Sequence, residues 1–307
     1  MIAHPTMLKR RVLIFHSGAL GDFVLTWPLA LALARLYPQS RIIYVTQRSK
    51  GELAEKVLRV EFDDVEHGWH HLFGDPDNLP DSCRHLLNSS HAIYSFVSGP
   101  NDPWMKAVSQ IAPWTNPLAL AINPNGPGHA IVGLLDSLAP QPAAQTAVRQ
   151  ILASIADHGV GGKRSPDPNR FIIHPGSGSP QKCWPLENYL KVAEHLKNAG
   201  RKVRIIIGEV ELERWPRHVL DQLADAAEVA RSATYLDLLA ELSLAENFLG
   251  NDSGPGHLAG ILGLKTLILY GPTDPAIWKP LGPRVRTLRR EPISEIAIND
   301  VIASLAE

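Results

Sequence analysis

RVLIFHSGALGDFVLTWPLALALARLYPQSRIIYVTQ, residues 11–47, is the stretch that decides the fold. Arg11–His16 is a short apolar run rich in branched side chains, as expected of a parallel strand buried on both faces. The glycine turn Ser17-Gly18-Ala19-Leu20-Gly21-Asp22 follows. An apolar helical stretch, Phe23–Leu36, is closed by Tyr37-Pro38, and Arg41–Gln47 reads as a second strand. Strand, glycine turn, helix and strand in that order open a doubly wound sheet. Working outward, Ala92–Val97 and Leu118–Ile122 are further candidate strands. Gly68–Asn88 is less regular and rich in Asp, His and Pro.

The pattern then restarts. Thr146–Asp157 reads as a helix, and Gly159–Asn169, rich in Gly, Pro and charge, is the best linker candidate. Beyond it come strand Arg170–His174, helix Pro185–Asn198, strand Lys202–Ile207 and helix Glu211–Ala226. Strand Asn247–Gly250, helix Pro255–Leu262, strand Lys265–Tyr270 and helix Ser294–Leu305 complete the chain. The expected architecture is α/β, with two Rossmann-like doubly wound domains facing a cleft. They are residues 1–160 and 161–290. A closing helix within 291–307 is placed to pack back on the N-terminal domain.

Composition agrees with a two-domain enzyme-sized chain: 307 residues against roughly 150 per domain. Thirty basic and thirty-one acidic side chains leave a net charge of −1, so no general electrostatic footprint for nucleic acid or anionic membrane exists. No apolar run approaches the ~20 residues of a membrane span. Cys83 and Cys183 are too few for a disulfide framework and lack zinc-site spacing. The N-terminal MIAHPTMLKRRVLIFH has a basic segment, but its apolar stretch is short and no small-residue cleavage site follows. The expected compartment is the reducing cytoplasm.

Three loops carry the candidate chemistry. In the first, Gly18 and Gly21 let the backbone turn tightly, and Asp22 sits at the start of a helix, where the dipole favours a carboxylate. Asp22 as a mere helix cap is the competing reading. The G-x-x-G spacing is not the dinucleotide fingerprint, which disfavours a nicotinamide cofactor. In the second, His174–Pro185, the small residues around Ser177 and Gly178 expose N–H groups able to form an anion nest. Lys182 adds a positive charge there. An incidental lysine on a polar loop is the alternative, and the loop is not a Walker A sequence. In the third, Gly250-Asn-Asp-Ser-Gly-Pro-Gly-His257, Ser253 and Gly254 would leave free N–H groups at a helix start, a ready phosphate site. His257 falls in the first turn. An ordinary N-cap at Asp252 or Ser253 is the plainer reading. Tyr270–Pro275 is a turn that proves little alone.

Other signals weigh less. His67, His70 and His71 lack a carboxylate or cysteine at ligand spacing. Asp75-Pro76-Asp77 has the Asp-x-Asp form but sits in a proline-rich loop, and Trp104 and Trp114 read as core, with the lining of a pocket as the alternative. No Gly-x-Ser-x-Gly elbow supports hydrolase chemistry.

With these motifs in hand, the chain resembles glycosyltransferase family 9, the heptosyltransferase family of the GT-B fold. The matching residues are RVLIFHSGALGDFVLTWPLALALARLYP, FIIHPGSGSPQKCWP and FLGNDSGPGHLAGILGLKTLILYGPTDPAIWKPLGP. The weakly matching part is Glu52–Arg164. The resemblance implies transfer of a sugar, often heptose from ADP-heptose, onto lipopolysaccharide core, with inversion and without an essential metal or other cofactor. It puts the general base on Asp22 and the donor contacts on Ser177, Gly178 and Lys182. The ribose acid falls in Gly208–Glu211, Glu211 being preferred to Glu209. The diphosphate turn falls on Asp252, Ser253, Gly254 and His257. His16-Ser17 depart from the arginine-containing sequence of many lipopolysaccharide heptosyltransferases, which leaves the acceptor open. The implied partners are a nucleotide-sugar donor and a glycan or glycolipid acceptor, with at most peripheral membrane contact. Two alternatives remain: a catalytically silent nucleotide-sugar-binding module, and a nucleotide-sugar epimerase or hydrolase.

Overall fold

The structure, a computed structural model, describes residues 11–122, 128–162 and 165–306. The basic stretch Met1–Arg10 and the linker residues Lys163-Arg164 lie outside them. The described chain forms two compact units. One takes 11–19, 26–122 and 130–152, and the other takes 20–25, 128–129, 153–162 and 165–306. The division passes through helix Pro142–His158.

The first unit is built on a five-stranded sheet of β1 (Arg11–Phe15), β2 (Arg41–Thr46), β3 (Glu61–Asp64), β4 (Ser90–Ser95) and β5 (Leu118–Ala119). The second holds β6 (Asp167–His174), β7 (Lys202–Ile207), β8 (Glu228–Arg231), β9 (Ala245–Asn251), β10 (Lys265–Tyr270) and β11 (Val285–Arg289). Strand orders are β3-β2-β1-β4-β5 and β11-β10-β9-β6-β7-β8. Every strand pairing among the described residues is parallel. The central strands are covered on both faces, which is why Val12, Leu13 and Ile14 are consecutive, apolar and sealed from solvent. Leu13, Phe15, Ile43, Val45 and Ile93 anchor one core, while Phe171, Ile173, Ile205, Ile207 and Leu249 anchor the other.

Several elements differ from the sequence reading. The first helix runs Leu20–Leu36, so the glycine turn supplies its opening residues, and it carries Pro28 inside. The stretch read as one helix over Glu211–Ala226 is two helices, Glu209–Arg214 and Arg217–Ala226. Proline at 216 forces the preceding Trp215 into an extended conformation, φ −90° and ψ 130°, and the helix stops there. The end of the expected linker is strand: Asp167 bonds Lys202 at 2.8 Å, and Asn247 donates to the Pro168 carbonyl at 3.0 Å. Residues 65–78 form three short 3-10 turns that bury Trp69 and Leu72, followed by helix Asp81–Asn88. The closing helix, Ile298–Ala306, packs within the second unit. Its Val301 enters the second core, and the Trp184 indole donates to the Ile296 carbonyl at 3.0 Å just before it.

Candidate active site

In the second sheet the chain runs from β6 outward through β7 and β8, then returns to start β9 on the other side of β6. β6 and β9 therefore flank a topological switch point, and open α/β sheets bind ligands outside the carboxyl ends of such strands. The loops that leave those ends are Pro175–Pro185 and Asp252-Ser253, which are the second and third candidate loops of the sequence.

One buried amide fixes the geometry. Asn251, the last residue of β9, is fully buried. Its Oδ1 accepts from the Trp184 backbone N–H at 3.0 Å and from the Tyr189 hydroxyl at 2.7 Å. Its Nδ2 donates to the Pro175 and Gly176 carbonyls at 2.8 and 3.2 Å. All four bonding positions of the amide are used, and both ends of the loop are pinned to β9. Between those ends the Ser177 hydroxyl donates to the Asp252 carbonyl at 2.9 Å, while Gly178 is exposed.

The charge on this loop is oriented from below. Lys182 Nζ donates to Asp252 Oδ2 at 2.8 Å, and the Thr273 hydroxyl donates to the same oxygen at 2.8 Å. The Asp252 side chain is 7% exposed and that of Lys182 31%, so the ammonium reaches solvent while the carboxylate does not. Next along the chain, Ser253 is the N-cap of helix Gly254–Ile261, extended at φ −159° and ψ 163°. Its side chain caps nothing, and the buried hydroxyl has no hydrogen-bond partner among the described residues. The N–H groups of that helix start thus have no side-chain cap.

His257 lies one turn further in. Burial, opposed by the Asp252 charge and aided by His129 and Lys182, pushes its imidazole down to about 4. A side chain at Gly21 would place its Cβ 3.1 Å from the His257 ring, and one at Gly254 would meet Leu20 Cβ at 2.7 Å. Residues 20–25 thus pack on helix Gly254–Ile261 inside one compact unit, and glycines at these two positions allow it. Asp22, in the first turn of its helix, is partly exposed. The N-cap there is Ala19, not Asp22.

Glu211 is buried where Glu209 is exposed. Its Oε2 accepts from the Gly208 N–H at 2.8 Å and lies 3.7 Å from His174 Nε2. Burial pushes its carboxyl up, but His174 and the Gly208 N–H outweigh it and leave the group below its ordinary range. A Cβ at Gly176 would stand 1.8 Å from Glu211 Oε1, so any side chain there would have to displace the Glu211 carboxylate. Ser177, Gly178, Lys182, Glu211, Asp252, Ser253, Gly254 and His257 all belong to the second unit, together with Asp22 and Gly21; Gly18 belongs to the first.

The profile of glycosyltransferase family 9 (heptosyltransferase) matches residues 133–298, more than half the chain. The chain belongs to glycosyltransferase family 9. It is therefore a glycosyl-transferring enzyme. Lipopolysaccharide heptosyltransferase 3 of Escherichia coli is 22% identical over 305 residues, covering 85% of this chain and 83% of that protein. A glycosyl transferase family 9 structure from Veillonella parvula DSM 2008 superposes with a TM-score of 0.70 at 19% identity, covering 96% of each chain. Escherichia coli heptosyltransferase WaaC with ADP gives 0.69 at 17%, covering 95% of this chain and 97% of that one. The two parallel sheets are thus those of the GT-B fold.

In this family 9 chain, sequence reasoning passed over three supporting residues. Asn251 and Thr273 hold the loop and the Asp252 carboxylate, and Arg214 Nη1 donates to the Gly178 carbonyl at 3.1 Å. Thr273 sits in the Tyr270–Pro275 turn, whose place at the carboxyl end of β10 was the available signal. Asn251 carried none beyond its neighbours. The Asp75-Pro76-Asp77 loop is a short turn in which Asp75 accepts from Asn78 at 2.6 Å, and among the described residues no metal-binding cluster forms there or elsewhere.

Proposed function

We propose that this enzyme transfers heptose from ADP-heptose onto a lipopolysaccharide-like or other glycan acceptor, with inversion and without a metal cofactor. The observation that carries the reading is the Lys182–Asp252–Thr273 arrangement beside the uncapped helix start at Ser253-Gly254, at the carboxyl ends of β6 and β9. A leaving nucleoside diphosphate gains negative charge as the glycosidic bond breaks. A preorganised lysine and helix N–H groups stabilise that charge as a cation would. The Asp252 carboxylate is spent on Lys182 and Thr273, so its role is to aim the ammonium at the diphosphate rather than to touch it. Ser177 and Gly178 line the same loop, and Glu211 meets the ribose. Asp22 takes the proton of the attacking acceptor hydroxyl, on the face opposite the leaving group. His257, neutral at working pH and packed beside Gly21, links the base-bearing helix to the donor loop. The relatives named for lipopolysaccharide heptosyl transfer and for bound ADP support the choice of donor and acceptor class. The enzyme works on the cytoplasmic face, meeting a glycolipid acceptor peripherally.

The test is nucleotide release. ADP-heptose alone should release little ADP, and addition of a heptose-accepting lipopolysaccharide core should start release, unchanged in excess EDTA. Rapid release without acceptor would make the protein a hydrolase. Loss of turnover in EDTA, restored by magnesium, would end the metal-free mechanism.

A further inference from the structure

The first unit contains a buried cation that the mechanism above does not use. Lys50 is 4% exposed, near the start of helix Arg48–Leu58. Its Nζ donates to the Gly18 carbonyl at 2.5 Å and to the Gln47 side-chain oxygen at 2.6 Å. Gly18 belongs to the turn that leaves β1, one residue before the Ala19 N-cap and four before Asp22. Ala19 offers no side-chain cap, and glycine at 18 has no side chain to restrict its backbone. The buried imidazole of His16 lies on the same turn. Burial, then the Lys50 charge, pushes it down to about 3.

A buried ammonium is costly to desolvate and tolerates little movement of the groups that solvate it. The Gly18 carbonyl is one of those groups. We propose that Lys50 is a positioning residue: its ammonium fixes the Gly18 carbonyl and so sets the start of the helix that carries Asp22. The proposal rests on Asp22 as the base, because only then does the aim of that helix start set the transfer rate. Misplacing a reacting group by about 1 Å costs on the order of 100-fold. Lys50 thus acts on kcat and leaves the donor loops of the second unit untouched.

The experiment compares Lys50→Met, which removes the donor, with Gln47→Leu, which keeps the lysine and removes one anchor from an exposed position. Amide hydrogen exchange over residues 17–24 reads the turn without needing substrate. It should speed up in Lys50→Met, and less in Gln47→Leu, with exchange in 175–185 unchanged. With ADP-heptose and acceptor, kcat should fall about 10- to 100-fold in Lys50→Met and a few-fold in Gln47→Leu, the donor KM holding within twofold. Added to Asp22→Asn, Lys50→Met should cost less than about twofold more, since both act through one group. If Lys50→Met fails to fold, Gln47→Leu carries the test alone. Unchanged exchange over 17–24 overturns the proposal whatever the substrate. Faster exchange with unchanged kcat breaks its link to Asp22. Near-normal transfer by Asp22→Asn, by contrast, defeats the base assignment and not the fixing of the turn.

Discussion

The turn after β1 and the loop after β6 follow the first strand of each sheet, yet they are built differently. The first is short: Ser17–Ala19 lead straight into helix Leu20–Leu36, and its carbonyl is held by Lys50. The second spans Pro175–Pro185 and is tied at both ends to the buried amide of Asn251. A short turn brings a helix start, and with it a carboxylate, close to the strand. A long stitched loop instead leaves N–H groups and a lysine facing outward. In the proposed mechanism the same βα connection serves acid–base chemistry in one place and anion stabilisation in the other.

That division of labour can be broken at several points. The largest effect is expected for Asp22→Asn, which keeps the shape but removes the base. Transfer should fall about 10²- to 10⁴-fold with an unchanged melting temperature, and steady-state kinetics beside a thermal melt read both. Near-normal turnover would leave the carboxylate as a surface group of its helix. Lys182→Ala strikes the other loop. A charge-assisted contact is worth about 1.5–3 kcal/mol, so kcat/KM should drop roughly 10- to 100-fold; unaltered kinetics would make the lysine a partner of Asp252 alone.

Gly176→Ala sharpens the comparison by disturbing the stitched loop without altering Lys182 or Asp252. The new methyl must displace Glu211, whose Oε1 lies 1.8 Å from its position. Overpacking of this kind costs about 1–3 kcal/mol, and nucleotide affinity should fall with it. A stable variant with normal ADP affinity would show that Glu211 has no part in the ribose site.

The smallest effect is a pH slope. His257 is held below its ordinary value of 6.5, to about 4, chiefly by burial. In the unfolded chain it takes a proton as pH falls through 6.5; in the folded chain it does not until about 4. Its contribution is fully present above 6.5 and is lost as pH falls from 6.5 toward 4. Denaturant melts should show stability falling over that window, less steeply in His257→Asn. His16, pushed to about 3, and His129, also held down by burial, add to the slope that remains. Identical slopes in the two proteins would mean that His257 titrates normally.

Much of this was legible in the sequence, for reasons that differ by element. Strands such as Arg11–Phe15 and Lys265–Tyr270 are central and buried on both faces, so they are written as continuous apolar runs. The edge strands Glu61–Asp64, Glu228–Arg231 and Val285–Arg289 are half polar because one side faces solvent, and no run marks them. The break at Trp215-Pro216 was visible as a proline inside a helical period, but the period was read through it. Among site residues, Lys182 and Asp252 stand in glycine-rich loops that advertise themselves. Asn251, Thr273 and Lys50 each hold a partner 21 to 76 residues away, a distance no local pattern records.

The central claim is that donor binding belongs to the loops of β6 and β9 while proton removal belongs to Asp22. Calorimetric titration of ADP-heptose into the wild-type protein, Asp22→Asn and Lys182→Ala tests it most directly. Asp22→Asn should bind within about twofold of wild type, and Lys182→Ala should bind at least about tenfold more weakly, the equivalent of ~1.4 kcal/mol. Wild-type affinity in Lys182→Ala, or lost affinity in Asp22→Asn, would contradict the assignment of the two tasks.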